Sequence, residues 1–323
     1  MNKIPSLLAS FPLSEPKEGR AQNSINGGDA ESYAMSKFIL ACRGEGHWGS
    51  REEDNSKIDL IFSFEHPWAS GERMMVLCQV KSGNSYGSLT ENGFELKSKA
   101  KAAAIRSSHQ ICVVWIDRNE RKAFWAYIHP DSVARAQKYG AYHEVTPATK
   151  FDLARCISMA RSGSKGAKGL HIRRRDTPIA IRRKTVKGRY QDIRTVRSPV
   201  LGEIELGRVG WRHMFRKGRR KEGKIRSLEI IPYLHRLLPR WPTTHAITSS
   251  SEFKVNGYTY QVREHLLKFD ELTVSSKNEE VREDLCAHVR VREEICYPND
   301  WESVVMLSQQ VKRRIVLKSA YYK

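Results

Sequence analysis

Between residues 58 and 65 apolar side chains occupy every second position: Ile58, Leu60, Phe62 and Phe64 alternate with Asp59, Ser63 and Glu65, broken only by Ile61. Period two is the signature of a strand with one face on a core. Met74–Lys81 reads as a second strand, joined to the first through His66–Arg73. Ile111–Asp117 and Ala123–His129 form a hairpin across the polar turn RNERK. Helical spacing precedes and separates these strands. Asp29 is placed to cap a helix reaching Cys42, with Glu31, Ala34, Met35, Phe38 and Cys42 on one side. Phe94–Ser107 has helical composition, and Pro130 and Pro147 each suit the first turn of a following helix. The pattern predicts a mixed α/β domain over residues 21–160, behind an extension at 1–20.

RSGSKGAKG (161–169) has the composition of a linker. Beyond it, IRRRDTPIAIRRKTVKGRYQDIRTVRSP alternates basic and apolar residues, which predicts strands with one charged face. Ser227–Leu238 reads as a short helix interrupted at Pro232. Tyr258–Phe269, Ala287–Glu294 and Lys312–Lys318 read as further strands, making residues 170–323 a basic α+β domain.

Charge sharpens this division. The chain of 323 residues carries a formal net charge of +20. Residues 1–160 hold 20 lysines and arginines against 18 acids, residues 161–240 hold 24 against 6, and residues 241–323 hold 12 against 12. A block so localised points to a polyanion, because neutralising phosphates releases counterions. Tyr190, Trp211, Phe215, Tyr233 and Trp241 lie among these cations, as a solvated basic tail would not require. Nucleic acid is therefore the expected partner. No apolar run approaches the ~18 to 20 residues of a membrane helix, and the N-terminal stretch lacks a secretory core, so neither a membrane span nor export is expected. Six cysteines with no CxxC spacing fit a reducing cytoplasm.

The residues that carry chemistry are Asp59, Gln79 and Lys81, with Glu31 upstream. Asp59 projects from the face opposite Leu60 and Phe62, while Gln79 and Lys81, two apart, share one face. If the strands are neighbours, an acid, an amide and an ammonium converge at a sheet rim. Carboxylates hold a hard divalent ion through oxygen, and a nearby lysine positions or deprotonates its water, a set suited to phosphodiester hydrolysis.

Asp59-Leu60, followed some twenty residues later by Cys78-Gln79-Val80-Lys81-Ser82-Gly83, resembles the PD-(D/E)xK nuclease superfamily in its QxK branch. The resemblance covers roughly residues 25–135. It implies a restriction-endonuclease-like α/β fold, a mixed sheet flanked by helices, and Mg²⁺- or Mn²⁺-dependent cleavage of nucleic acid, DNA preferred over RNA. Glu31 and Asp59 are implied as acidic metal ligands, Gln79 as a metal-site residue and Lys81 as the catalytic lysine. Gln79 stands where the family more often has an acid, and Glu45, Glu52 and Glu53 are alternatives to Glu31. The branch is often found with mobile elements and defence systems, which implies action on foreign DNA; many such nucleases are homodimers.

A second set lies in the basic domain. Trp211, Arg212, His213, Arg216, Arg219 and Arg220 form a candidate nucleic-acid contact, and His213, His265, Ser319 and Tyr321 a candidate second catalytic site. A histidine among arginines can move protons while the cations stabilise a charged phosphorane-like transition state. This part faintly resembles the barnase–EndoU–colicin–RelE nucleases, which implies a metal-independent ribonuclease with the first domain serving recognition. A nucleic-acid-binding protein without catalysis is the remaining alternative. No glycine-rich loop is followed by a Walker lysine and no serine sits in a nucleophile elbow, which argues against ATP hydrolysis and acyl transfer.

Overall fold

The computed structural model describes residues 20–50, 58–161, 169–174, 177–276 and 279–323. The protein is mixed α/β, with mixed sheets and flanking helices, and it divides into two compact units. The first comprises Met1–Ile39, Gly46–Phe62 and Val76–Val145; the second comprises Leu40–Glu45, Ser63–Met75 and Thr146–Lys323.

The first unit is built on a five-stranded sheet in the order β1-β2-β3-β6-β7. These strands are β1 (Glu45–Trp48), β2 (Leu60–Glu65), β3 (Arg73–Ser82), β6 (Ile111–Asp117) and β7 (Lys122–Ile128). β6 runs parallel to β3, and β7 returns antiparallel to β6 as the hairpin pattern predicts. Parallel pairing needs a crossover. Here it passes through β4 (Gly87–Thr90), β5 (Gly93–Leu96) and helix α2 (Ser98–Ile105), and β8 (Gln137–Gly140), which follows β7, pairs with β5 to complete a small three-stranded sheet. The core gathers Ile58, Phe94, Leu96, Ala104, Val113 and Trp115, among others.

Three expectations change in this unit. Helix α1 spans Arg20–Cys42, so Asp29 lies inside it rather than capping it. The glycines at 27 and 28 cost about 1 kcal/mol each in a helix, and burial of Ala34, Met35 and Phe38 offsets that cost. Phe94–Leu96 is a strand, because Phe94 and Leu96 alternate into the core and Gly93, at φ +145°, begins it where a side chain would strike the Tyr139 carbonyl of β8. Pro130 is followed by turns and β8, whereas Pro147 does stand just ahead of α3 (Thr149–Arg161).

The second unit is organised around a seven-stranded sheet ordered β10-β11-β15-β14-β13-β12, with β9 added parallel to β13. Its strands are β9 (Leu170–Arg173), β10 (Thr195–Ser198), β11 (Gly202–Glu205), β12 (Thr244–Val255), β13 (Tyr258–Ser276), β14 (Glu279–Pro298) and β15 (Lys312–Tyr322). The last three are the strands expected from the sequence, each extended at one or both ends. Helices α4 (Ile179–Ile193), α5 (Arg208–Met214), α6 (Lys221–Ile230) and α7 (Leu234–Leu237) lie between β9 and β12 along the chain, and α8 (Leu307–Gln310) precedes β15. Pro232 falls in the 3₁₀ turn between α6 and α7, where the interruption was expected. The alternating stretch after β9 is mostly helix instead of strand. Pro178 stands at the N-cap of α4, and Val186 and Tyr190, one turn apart, are its buried residues. Helical burial of that pair outweighs a two-residue alternation whose polar members are merely solvated.

Candidate functional sites

In the first unit Asp59 lies one residue ahead of β2, and its backbone N–H donates to the Cys78 carbonyl of β3 at 2.9 Å. Its side chain turns to the same strand. Asp59 Oδ2 accepts the Val80 N–H at 2.6 Å and stands 3.5 Å from Lys81 Nζ. Lys81 also donates to the Val80 carbonyl at 2.9 Å, and its ammonium lies 6.0 Å from the centre of the Tyr86 ring. Asp59 and Lys81 therefore meet as the sequence pattern anticipates.

Gln79 shares the strand face of Lys81 by alternation, yet it is fully buried. Neither its amide nitrogen nor its amide oxygen has a hydrogen-bond partner. A buried unpaired amide costs about 1–3 kcal/mol, so native proteins rarely keep one without a use. Glu31 is half-buried on α1, next to buried Ala30. The start of that helix is tied to β3 by Arg118, which reaches Ser82 Oγ at 2.6 Å and the Asn26 carbonyl at 3.4 Å. Glu45 is exposed and paired with Arg73, while Glu52 and Glu53 lie outside the described residues.

Among the described residues no three His, Cys, Asp or Glu side chains form a metal-binding group. The oxygen donors that β3 and the approach to β2 bring together are the Asp59 carboxylate and the buried amide oxygen of Gln79, with Glu31 on α1 the further acid that the resemblance implies. An all-oxygen set of this kind fits a hard divalent ion.

In the second unit the candidate nucleic-acid residues spread over α5 and the loop to α6. Arg212, Arg216 and Arg220 are exposed. Trp211 packs between Tyr190 and Phe215, at ring separations of 5.5 and 4.3 Å, on the core of the unit. Exposed cations continue along α4 at Arg183, Lys184 and Lys187.

His213 ends α5, which lies against β15: a side chain at Gly210 would meet the Leu317 carbonyl at 2.3 Å. Burial lowers the His213 pKa first, and the charges of Lys318, Arg216 and Arg219 lower it further against an opposing pull from Glu264. Arg219 lies over the Tyr321 ring at 5.6 Å, and Tyr321 stacks on His288 at 5.3 Å. Cross-strand register aligns Ser319 with Arg290, Tyr321 with His288 and Glu264 with Arg292, so all six residues share one sheet face. The register skips Lys318, which bulges out of β15 and pairs with Glu264. His265 faces the other way, and Ser319 is buried. The structure thus gathers His213 and Tyr321 through Arg219, and separates His265 from them.

His265 belongs to a buried ionic network. Its ring nitrogens face His245 at 2.9 Å and Glu293 at 3.0 Å. Glu293 also receives Arg155 at 2.9 Å and Arg313 at 2.7 Å. Asp152 holds Arg155 at 2.7 Å together with Arg263. Sequence reading missed Glu264, Lys318 and this network. The available signal was the appearance of charged residues on both parities of β13 and β14, as in Arg263-Glu264-His265 and Arg292-Glu293-Glu294, which one solvated face cannot explain.

No protein-family model matches the chain, and comparison with curated proteins and with solved structures finds no significant match. Among the described residues no helix is long and apolar enough to cross a membrane.

Proposed function

We propose that the protein is a divalent-metal-dependent nuclease that cleaves DNA, with a PD-(D/E)xK-type catalytic core in the first unit and a second unit that grips nucleic acid. The observation that carries this reading is the pairing of Asp59 with Lys81 at 3.5 Å on the strand that also presents the unpartnered Gln79 amide. The order α1, β1, β2, β3, α2, β6, with β6 parallel to β3, supports a restriction-endonuclease-like core. Defence against foreign DNA is the setting that the resemblance implies.

Asp59, Gln79 and Glu31 would hold the ion. Bound Mg²⁺ lowers the pKa of water and offsets phosphate charge. Hydrolysis joins a water oxygen to phosphorus and breaks one ester P–O bond; a proton leaves the water and one joins the departing oxygen. Lys81 would orient the attacking water against the phosphate and offset charge in the transition state. Its ion pair with Asp59 and its bond to the Val80 carbonyl fix the ammonium before substrate arrives. Cleavage of DNA with Mg²⁺, compared between the wild type and Lys81→Ala, tests this function.

One group of observations favours a second reading, a metal-independent RNA-cleaving site in the second unit. Burial and the nearby charges of Lys318, Arg216 and Arg219 hold His213 below its ordinary pKa, Glu264 opposes them, and Arg219 in turn lies over the Tyr321 ring. Bulges often re-aim a side chain at a functional site. Cleavage of RNA in EDTA, lost in His213→Ala, is its test.

A further inference from the structure

A cleft of about 300 Å³ opens in the second unit between α4 and the α6–α7 segment, away from His213. One face of α4 supplies Arg182, Thr185, Val186 and Arg189, which the helical repeat places side by side. Opposite stand Leu228, Glu229, Pro232, Tyr233 and Arg236, and Arg173 of β9 also lines the cleft. The floor is apolar, with Val186 and Leu228 buried and Tyr233 half-buried.

The charge of this cleft is uneven. Among the described residues Glu229 is its one carboxylate, and it is already engaged by Arg182 at 3.1 Å, by Arg174 at 3.9 Å and by the Tyr322 hydroxyl. Arg173, Arg189 and Arg236 are exposed at the rim and form no ion pair among the described residues. Surplus guanidinium groups around an apolar floor suit a ligand with a flat, weakly polar body and a concentrated negative charge. Guanidinium binds phosphate in a bidentate fork, and bases stack on aromatic and apolar side chains. A terminal phosphate monoester carries about −1.5 to −2 charges at pH 7, against one for an internal diester, so three free arginines match the monoester better. The volume lies at the small end of ligand sites, enough for one nucleotide.

We propose that this cleft binds a single nucleotide bearing a phosphate monoester, presented by a phosphorylated strand end or by a free mononucleotide. The inference rests on the nucleic-acid-binding reading of the second unit and deepens it.

The test uses the full chain in EDTA, so that strands stay intact, with fluorescence anisotropy as the readout. Labelled single strands are compared with a phosphate or a hydroxyl at each end, and AMP is titrated separately. An end phosphate is expected to tighten binding about tenfold, the worth of one charge-assisted contact set. Arg189→Ala and Arg236→Ala are each expected to return the phosphate-to-hydroxyl ratio toward one, with an unchanged thermal melt. AMP binding that both variants weaken, without a gain from end phosphates, also supports the cleft and assigns it to free nucleotides. Equal affinity for phosphate and hydroxyl ends together with no AMP binding overturns the proposal. Failure of every strand to bind, with AMP still bound, would count against the grip of the second unit and leave the cleft standing.

Discussion

Asp59 and Lys81, 22 positions apart in sequence, stand 3.5 Å from each other because the Val80 N–H, between Gln79 and Lys81 on β3, holds the Asp59 carboxylate at 2.6 Å. The backbone of β3 thus fixes the acid in the register that its own lysine needs. Two long side chains searching freely would gain little from such a pair near the surface; here the Asp59 side chain is nine-tenths buried and already oriented.

Gln79 gives the first prediction. Its amide is buried without a partner, a cost of about 1–3 kcal/mol. Gln79→Met, similar in length and apolar, should raise the thermal midpoint or leave it unchanged while cleavage falls at least tenfold. A loss of stability in calorimetry would mean that the amide has a structural partner, and unchanged cleavage would mean that it has no functional use.

The ionic network of the second unit gives the second. Removing the Glu293 carboxylate by Glu293→Gln leaves Arg155 and Arg313 facing each other without their shared counter-charge. Breaking a buried pair costs about 3–5 kcal/mol. Urea unfolding should show that loss, far more than Arg292→Gln on the exposed side of the same strand, where less than about 1 kcal/mol is expected.

The same network sets a pH response. Burial, then the Arg155 charge, lowers the pKa of both His245 and His265, the former well below the ordinary 6.5. Burial pushes Glu293 up, but Arg155, Arg313 and the His265 hydrogen bond outweigh it and hold the carboxyl well below its ordinary 4.5. A group whose pKa is depressed on folding takes up its proton more readily when unfolded, so acid favours unfolding. The thermal midpoint should be flat between about pH 7 and 8, fall as pH drops below about 6.5 through the histidines, and fall faster below about 4.5 through Glu293. His245→Gln should flatten the upper part of that decline. A midpoint constant from pH 7 to 5 would contradict the assignment.

Binding should be strongly dependent on salt. With the excess charge of the chain concentrated in residues 161–240, contacts to about six phosphates would weaken affinity roughly a thousandfold between 50 and 200 mM salt. Charge reversal at Arg183 and Lys187, both exposed on α4, should reduce the slope of log affinity against log salt. A flat response would remove phosphate contact as the role of this segment.

What the sequence disclosed follows from the range of the interactions. Strand β2 and the first part of β3 are legible because buried and less buried positions alternate, and β6 and β7 because they are short apolar runs, buried on both faces and joined by a polar turn; parity then gives the shared face of Gln79 and Lys81. Helix α4 was misread because Val186 and Tyr190 are its only buried side chains, too few to impose a helical period on a run of solvated cations. Glu264 and Lys318 escaped notice because their pairing depends on a bulge in β15, and no local pattern marks a bulge that contains no glycine. The network around Glu293 draws on α3, β12, β13, β14 and β15, contacts that only the folded sheet brings together.

The central claim is that chemistry resides at Asp59, Gln79 and Lys81 and depends on a divalent metal. Its most direct test is cleavage of plasmid DNA and structured RNA with Mg²⁺ or EDTA, by the wild type, Lys81→Ala and His213→Ala side by side. DNA cleavage that requires Mg²⁺, falls at least about a hundredfold in Lys81→Ala and persists in His213→Ala is the predicted result. RNA cleavage that survives EDTA, persists in Lys81→Ala and disappears in His213→Ala would contradict it and move the chemistry to the second unit.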